Sequence, residues 1–241
     1  MLLPIVAGAP GDQFNSETFQ SGHPLGGRMV FGDGRVFRYA ANAAVLLVAG
    51  DVIQASAPVA NHVLQTPSAA AAVAAREVSV TLGSTAATVD QYKDGYLNVP
   101  IGTGFGHVYT VKAHAPVASG GVFTVPLYET VQVAIPTTAN SVSLVANQYK
   151  GVIQSPVTTI TAPLVGVAPF ALPASRFGWL QTVGPCPVTT KGSLLIGHHA
   201  SLLVTQAGSV GPNAADTSVV VGRVLNVAAD GKKSLIDLNI N

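Results

Sequence analysis

The sequence predicts an all-β protein made of two β-sandwich or barrel-like modules, one able to interrupt the other, behind an extended N-terminal arm. Two observations carry this. Short runs with period-two alternation recur along the chain, closed each time by turn residues. The 241 residues also include 25 Gly and 16 Pro, too many breakers for long helices.

The elements follow in order. Residues 1–28 contain Pro4, Gly8, Pro10, Gly11, Gly22, Pro24, Gly26 and Gly27, so no helical or strand period survives. The segment reads as an arm that orders only when it lies on something else; the plainer alternative is a flexible tail. Met29–Phe31, the turn Gly32-Asp33-Gly34, and Arg35–Tyr39 form a predicted hairpin in which Gly34 takes the positive φ. Glu77–Leu82, Tyr96–Val99, His107–Lys112, Val122–Val125, Val131–Ile135, Val142–Val145 and Val152–Gln154 are predicted strands rich in β-branched residues. Val219–Val227, a turn at Asp230-Gly231 and Leu235–Ile240 make a last hairpin. Ser68–Arg76 is Ala-rich and fits either a two-turn helix capped by Ser68 or a small-residue loop between strands.

Pro163, Pro169, Pro173, Pro185 and Pro187 crowd one stretch, read as a crossing segment or edge strands because Pro cannot donate to a ladder. The expected organisation is therefore an arm (1–28), a β-rich module (29–155), a Pro-rich crossing segment (156–175) and a second β module (176–241). Arg38-Tyr39 before Gly50–Ile53 loosely echoes Gly178-Trp179 before Gly192–Leu195. On that echo, 176–241 completes a barrel with 29–65, and residues near 76–155 are inserted between its halves.

Composition narrows the function. Charged residues are only 10% of the chain, against about 25% in an ordinary soluble domain, while hydrophobic residues are 48%. The longest apolar run, Ala40–Gly50, is too short to span a bilayer and contains Asn42. A chain so poor in charge is expected to cover much of its surface against other chains. Net charge is +1, and no block of Lys or Arg offers phosphates an electrostatic footprint, so no nucleic-acid partner is expected. Cys186 has no second cysteine to pair with and reads as a buried small hydrophobe between Pro185 and Pro187. Met1–Val6 lacks a basic region and is broken by Pro4, so synthesis in a cytoplasm without a signal peptide is expected.

Chemistry is sparse. Gly102-Thr103-Gly104-Phe105-Gly106 sits between Pro100-Ile101 and His107-Val108-Tyr109, not between a strand and a helix, and reads as a β-turn, not a phosphate loop. His198-His199 point to opposite faces of a strand, and His107 and His114 have no ligand-spaced partners, so no metal or cofactor is expected. Asp90 and Asp94 flank a turn beside Lys93, and Ser201, Ser209 and Ser218 lie in no nucleophile-elbow context. No enzyme is expected. Trp179 reads as a core anchor, with an interface hot spot as the alternative.

Several segments resemble structural proteins of tailed-bacteriophage heads: Asp33–Ala40, Ala75–Gly83, the Tyr92–Leu97 stretch, and above all Gly178-Trp179-Leu180-Gln181-Thr182-Val183-Gly184-Pro185-Cys186-Pro187-Val188, followed by Val221–Leu225 and Ser234–Leu238. In this order they are similar to the decoration (cement) proteins on the outside of such capsids. The resemblance implies a β-rich homotrimer on the outer capsid surface, clamping neighbouring major capsid subunits, with no catalytic residues, no nucleic acid and no membrane. Gly178, Trp179, Gln181, Thr182, Gly184, Pro185 and Cys186 are the residues that carry it. Leu2, Leu3, Ile5, Val6, Phe14 and Phe19 are the arm's candidate interface residues. Another virion component (a tail-tube, head-fibre or adhesion module) is the first alternative, and a carbohydrate-binding β domain the second.

Overall fold

The computed structural model describes residues 5–20, 22–213 and 218–240. In chain order the strands are β1 (Ile5–Ala7), β2 (Ser16–Glu17), β3 (Arg28–Val30), β4 (Val36–Asn42), β5 (Val52–Gln54), β6 (Glu77–Thr81), β7 (Tyr96–Ile101), β8 (Val108–Thr110), β9 (Val122–Pro126), β10 (Ser141–Val145), β11 (Lys150–Gln154), β12 (Leu164–Val167), β13 (Phe177–Thr189), β14 (His199–Leu202), β15 (Val210–Pro212), β16 (Val220–Asn226) and β17 (Lys233–Asn239). Two three-residue 3-10 turns are the only helical elements among the described residues. The protein is all-β.

The chain divides into two compact units, one formed by residues 1–56 with 148–241 and the other by residues 57–147. The first is organised around a closed five-stranded barrel, in the order β4-β11-β5-β12-β13, with β13 returning to pair with β4. Each stave contributes a small or branched side chain to one buried cluster: Ala40, Val152, Ile53, Val165 and Leu180. Side chains of this size fill the narrow interior of a five-stranded ring. Leu47 and Leu172, bridged across antiparallel segments, join the same cluster.

Alternation along the staves sends the remaining side chains outward, where they need cover. Phe37 and Tyr39 of β4 and Trp179 of β13 pack with Leu25, Met29 and Phe31 on one flank. On another, Val52, Val167, Cys186 and Val188 pack with Val221, Val224, Ile236 and Leu238 of the C-terminal strands. The expected hairpins are present: β3–β4 with Gly34 at φ 87°, and β16–β17 with Gly231 at φ 74°.

Pro185 and Pro187 lie inside β13, which pairs with β17 over Val183–Thr189. The ladder tolerates them because of phase. Thr190 donates its N–H to Lys232 on the β17 side, whereas Thr189 donates to Gly50 on the other. Counting back in twos places Pro187 and Pro185 with Thr189, where no N–H is needed by β17. The Pro-rich stretch 156–175 carries β12, a stave of the barrel.

The second unit has its own core, which includes Val78, Val80, Tyr92, Leu97, Tyr109, Phe123, Val125, Leu127, Ile135 and Leu144. Pairings run β6–β9 and β8–β7–β10, joined by bridges at Val111–Leu127, Gln65–Val142 and Pro67–Val80. Of the two readings of Ser68–Arg76, the loop is realised. Ala71 bridges to Ile135 and is buried, and Ala74 donates to Val131 at φ 68°. The strand expected at Val131–Ile135 is not formed either; the two loops bond each other through Ala71–Ile135, Ala74–Val131 and Val131–Ala75, in place of the bonds a short helix would have made within itself.

Candidate interaction surface

The described part of the arm lies on its own chain. β1 pairs in parallel with β3 through Ile5–Arg28, Val6–Met29 and Ala7–Val30, and β2 pairs with Phe177 and Gly178 of β13. Between them a 3-10 turn is fixed by the Asp12 carboxylate, which accepts from the Ala9 N–H at 2.8 Å, and by Gln13, which is buried and accepts from the Gly11 N–H at 2.9 Å. The backbone is thus held while the large side chains face out: Ile5 is 68%, Phe14 53% and Phe19 68% exposed. Val6 is half-buried, and Leu2 and Leu3 lie outside the described residues. β1 also stands at the end of the sheet order, with its other edge unpaired among the described residues.

A second apolar surface was not foreseen from the sequence. The loop after β4 turns Val45, Leu46 and Val48 to solvent while Leu47 is fully buried. Asn42 fixes it. Its side-chain amide donates to the carbonyls of Val45 (2.9 Å), Leu172 (3.2 Å) and Pro173 (2.8 Å), and its oxygen accepts from the Arg176 N–H at 3.1 Å. Phe14 of the arm meets Phe170 edge-on, with centroids 6.3 Å apart. The 170–172 segment therefore supports both the arm's aromatic ring and, through Leu172, the loop's anchor Leu47. The signal in the sequence was the Ala40–Gly50 run itself, with a polar Asn at its start.

The motif around Gly178–Cys186 is structural in position. Gly178, Trp179, Gln181, Thr182, Gly184 and Cys186 are buried, and Pro185 is exposed. Trp179 packs against Tyr39 and His23, each with centroids 5.1 Å away, so it serves the core. Residues 177–183 pair with β4 and 183–189 with β17, and the register shifts between Gln181 and Val183. Here the barrel hands over to the C-terminal sheet.

Titratable groups serve the fold in the same way. Asp51 is buried, accepting from Thr189 Oγ1 at 2.7 Å and from the Gln154 amide. Burial raises its carboxyl above the ordinary range, although Thr189, Gln154 and the charge of Lys233 pull the other way. Burial pushes the Cys186 thiol up to about 12, so it stays protonated at neutral pH. His62 and His114 are buried around Tyr92: His62 bonds the Tyr92 hydroxyl, and His114 Nε2 accepts the Tyr92 N–H at 3.0 Å. No group of three or more His, Cys, Asp or Glu side chains is placed to hold a metal ion among the described residues. An open cavity of about 550 Å³ is lined by Leu194, Leu195, His198, His199, Pro212 and Asn213, among others. The two adjacent histidines thus border one recess.

Compared with protein-family models, with curated proteins and with solved structures, the chain matches none.

Proposed function

We propose that this chain is a structural virion protein, a decoration (cement) protein that binds the outer surface of a tailed-phage head and ties neighbouring major capsid subunits together. The observation that carries this reading is the arm: its backbone is ordered on the barrel unit while Ile5, Phe14 and Phe19 face solvent. An ordered segment that presents large apolar side chains is preorganised for burial against a partner and loses little entropy on binding. The low charge of the chain supports the same reading, because a face poor in ions gives up little hydration when covered. The role is mechanical and not catalytic. Buried area added across subunit joints makes shell expansion or rupture costlier, and a standard specific contact covers about 1,600 Å². A homotrimeric assembly would multiply modest contacts into avidity.

Removing residues 1–28 would not test this cleanly, because Gln13 and Leu25 are buried and Leu25 belongs to the Trp179 cluster. The cleaner variant replaces Ile5, Phe14 and Phe19 with Ser. The proposal predicts an unchanged fold by circular dichroism and a clear fall in occupancy on undecorated capsid shells. Full occupancy would remove the arm from the interface.

A further inference from the structure

The turn between β7 and β8 is built as a rigid mount for one aromatic ring. Phe105 at its tip is 76% exposed, the highest value among the large apolar residues described. Gly102, Gly104 and Gly106 take φ of 92°, 82° and 82°, a region that side chains disfavour. Buried Asn140 clamps the turn from the side: its oxygen accepts the Thr103 N–H at 2.9 Å, and its amide donates to the Thr103 carbonyl at 2.7 Å. A Cβ on Gly102 would lie 2.2 Å from that Asn140 oxygen, so the clamp needs glycine there. Further bonds from Phe105 to Gly102, from His107 to Gly104 and from Gly106 to Val99 close the loop. An aromatic ring held out this way has already lost the backbone freedom that binding would otherwise cost.

The surroundings define the partner's chemistry. Ile101 and Val108 flank the turn at 49% and 57% exposure. No Asp, Glu, Lys or Arg occurs from Gly95 to Val111, or from Thr130 to Tyr149. The turn and its two flanking residues offer an ionised group on the partner no counter-charge of their own, and burying such a group unpaired is costly. The complement is an uncharged, apolar pocket able to take a phenyl ring.

We infer that Phe105 is an anchor of the residue 57–147 unit, seated in an apolar pocket on the major capsid protein. This rests on the cement reading above and adds to it a second contact, independent of the arm. The test compares the wild type with Phe105→Ala and with Val122→Ala, a control that removes a side chain 60% exposed on β9. Co-sedimentation with undecorated capsid shells gives the half-saturation concentration, and light scattering gives the oligomeric mass of each protein alone. The expected result is that Phe105→Ala melts with the wild type but needs about 30-fold or more protein to half-saturate shells, as for an aromatic hot spot, while Val122→Ala binds normally. Equal binding by Phe105→Ala and the wild type overturns the anchor and leaves the cement reading standing. Loss of oligomer by Phe105→Ala overturns it in favour of a contact between copies. A wild type that ignores shells overturns both.

Discussion

The side-chain amide of Gln181 donates to the carbonyl of Gly184 at 3.3 Å, and to those of Val183 and Pro185 at 3.2 and 2.9 Å. Gly184 itself stands at φ 87°. Together they shape the kink at which β13 stops pairing with β4 and begins pairing with β17. Gln181→Ala removes an amide whose two N–H groups are shared among these three carbonyls, and a cost of about 1–3 kcal/mol is expected. Gly184→Ala forces a left-handed alanine whose Cβ would lie 3.0 Å from Arg35 Cγ, costing about 1–2 kcal/mol. Urea unfolding of each variant measures both.

Asn42 ties the 43–48 loop, through the carbonyl of Val45, to the 172–176 segment, through Leu172, Pro173 and Arg176. Asn42→Ala is expected to lower stability by about 1–2 kcal/mol, since it removes the side-chain ties between Val45 and the 172–176 segment. Hydrogen exchange should rise at Leu47 and Leu172, which donate to each other across the bridge. Protection unchanged there would mean that Leu47 packing alone fixes the loop.

Cys186 is fully buried and its thiol is raised to about 12. At pH 8 the native protein should resist thiol-specific reagents, and labelling should appear only with global unfolding. Rapid labelling of folded protein would place the thiol at the surface instead.

Asp51 gives a pH signature of known sign. Its folded pKa is raised by burial, so the folded state holds the proton more tightly than the unfolded chain. The stability it contributes is therefore complete below the ordinary carboxylate pKa and is lost as pH rises through the raised folded value. The stability of the wild type relative to Asp51→Asn should fall as pH rises above the ordinary carboxylate range. A difference that grows with pH would contradict the assignment of burial as the dominant cause.

How much of this was legible depended on locality. Glu77–Thr81 and Lys233–Asn239 alternate buried and exposed residues along the strand, and period two is visible in any sequence window. Barrel closure was not legible, because β4 and β13 pair across more than 130 residues and nothing local encodes the partner. The Ala-rich stretch 68–76 was ambiguous for a physical reason: alanine suits a helix, yet it is also small enough to lie flat against Ile135 and Val131. Pro185 and Pro187 argued against a paired strand because sequence does not reveal which edge their nitrogens face. At the candidate surface, Phe14 and Phe19 stood out as apolar residues among breakers. Phe105 did not, since its significance lies in the clamp by Asn140, 35 positions away.

The most direct test of the account is the mass of the purified protein in solution, alone and then with undecorated capsid shells. The account predicts a trimer that binds shells saturably. A stable monomer that leaves shells bare would contradict it, and the chain's shortage of charge would then need another explanation.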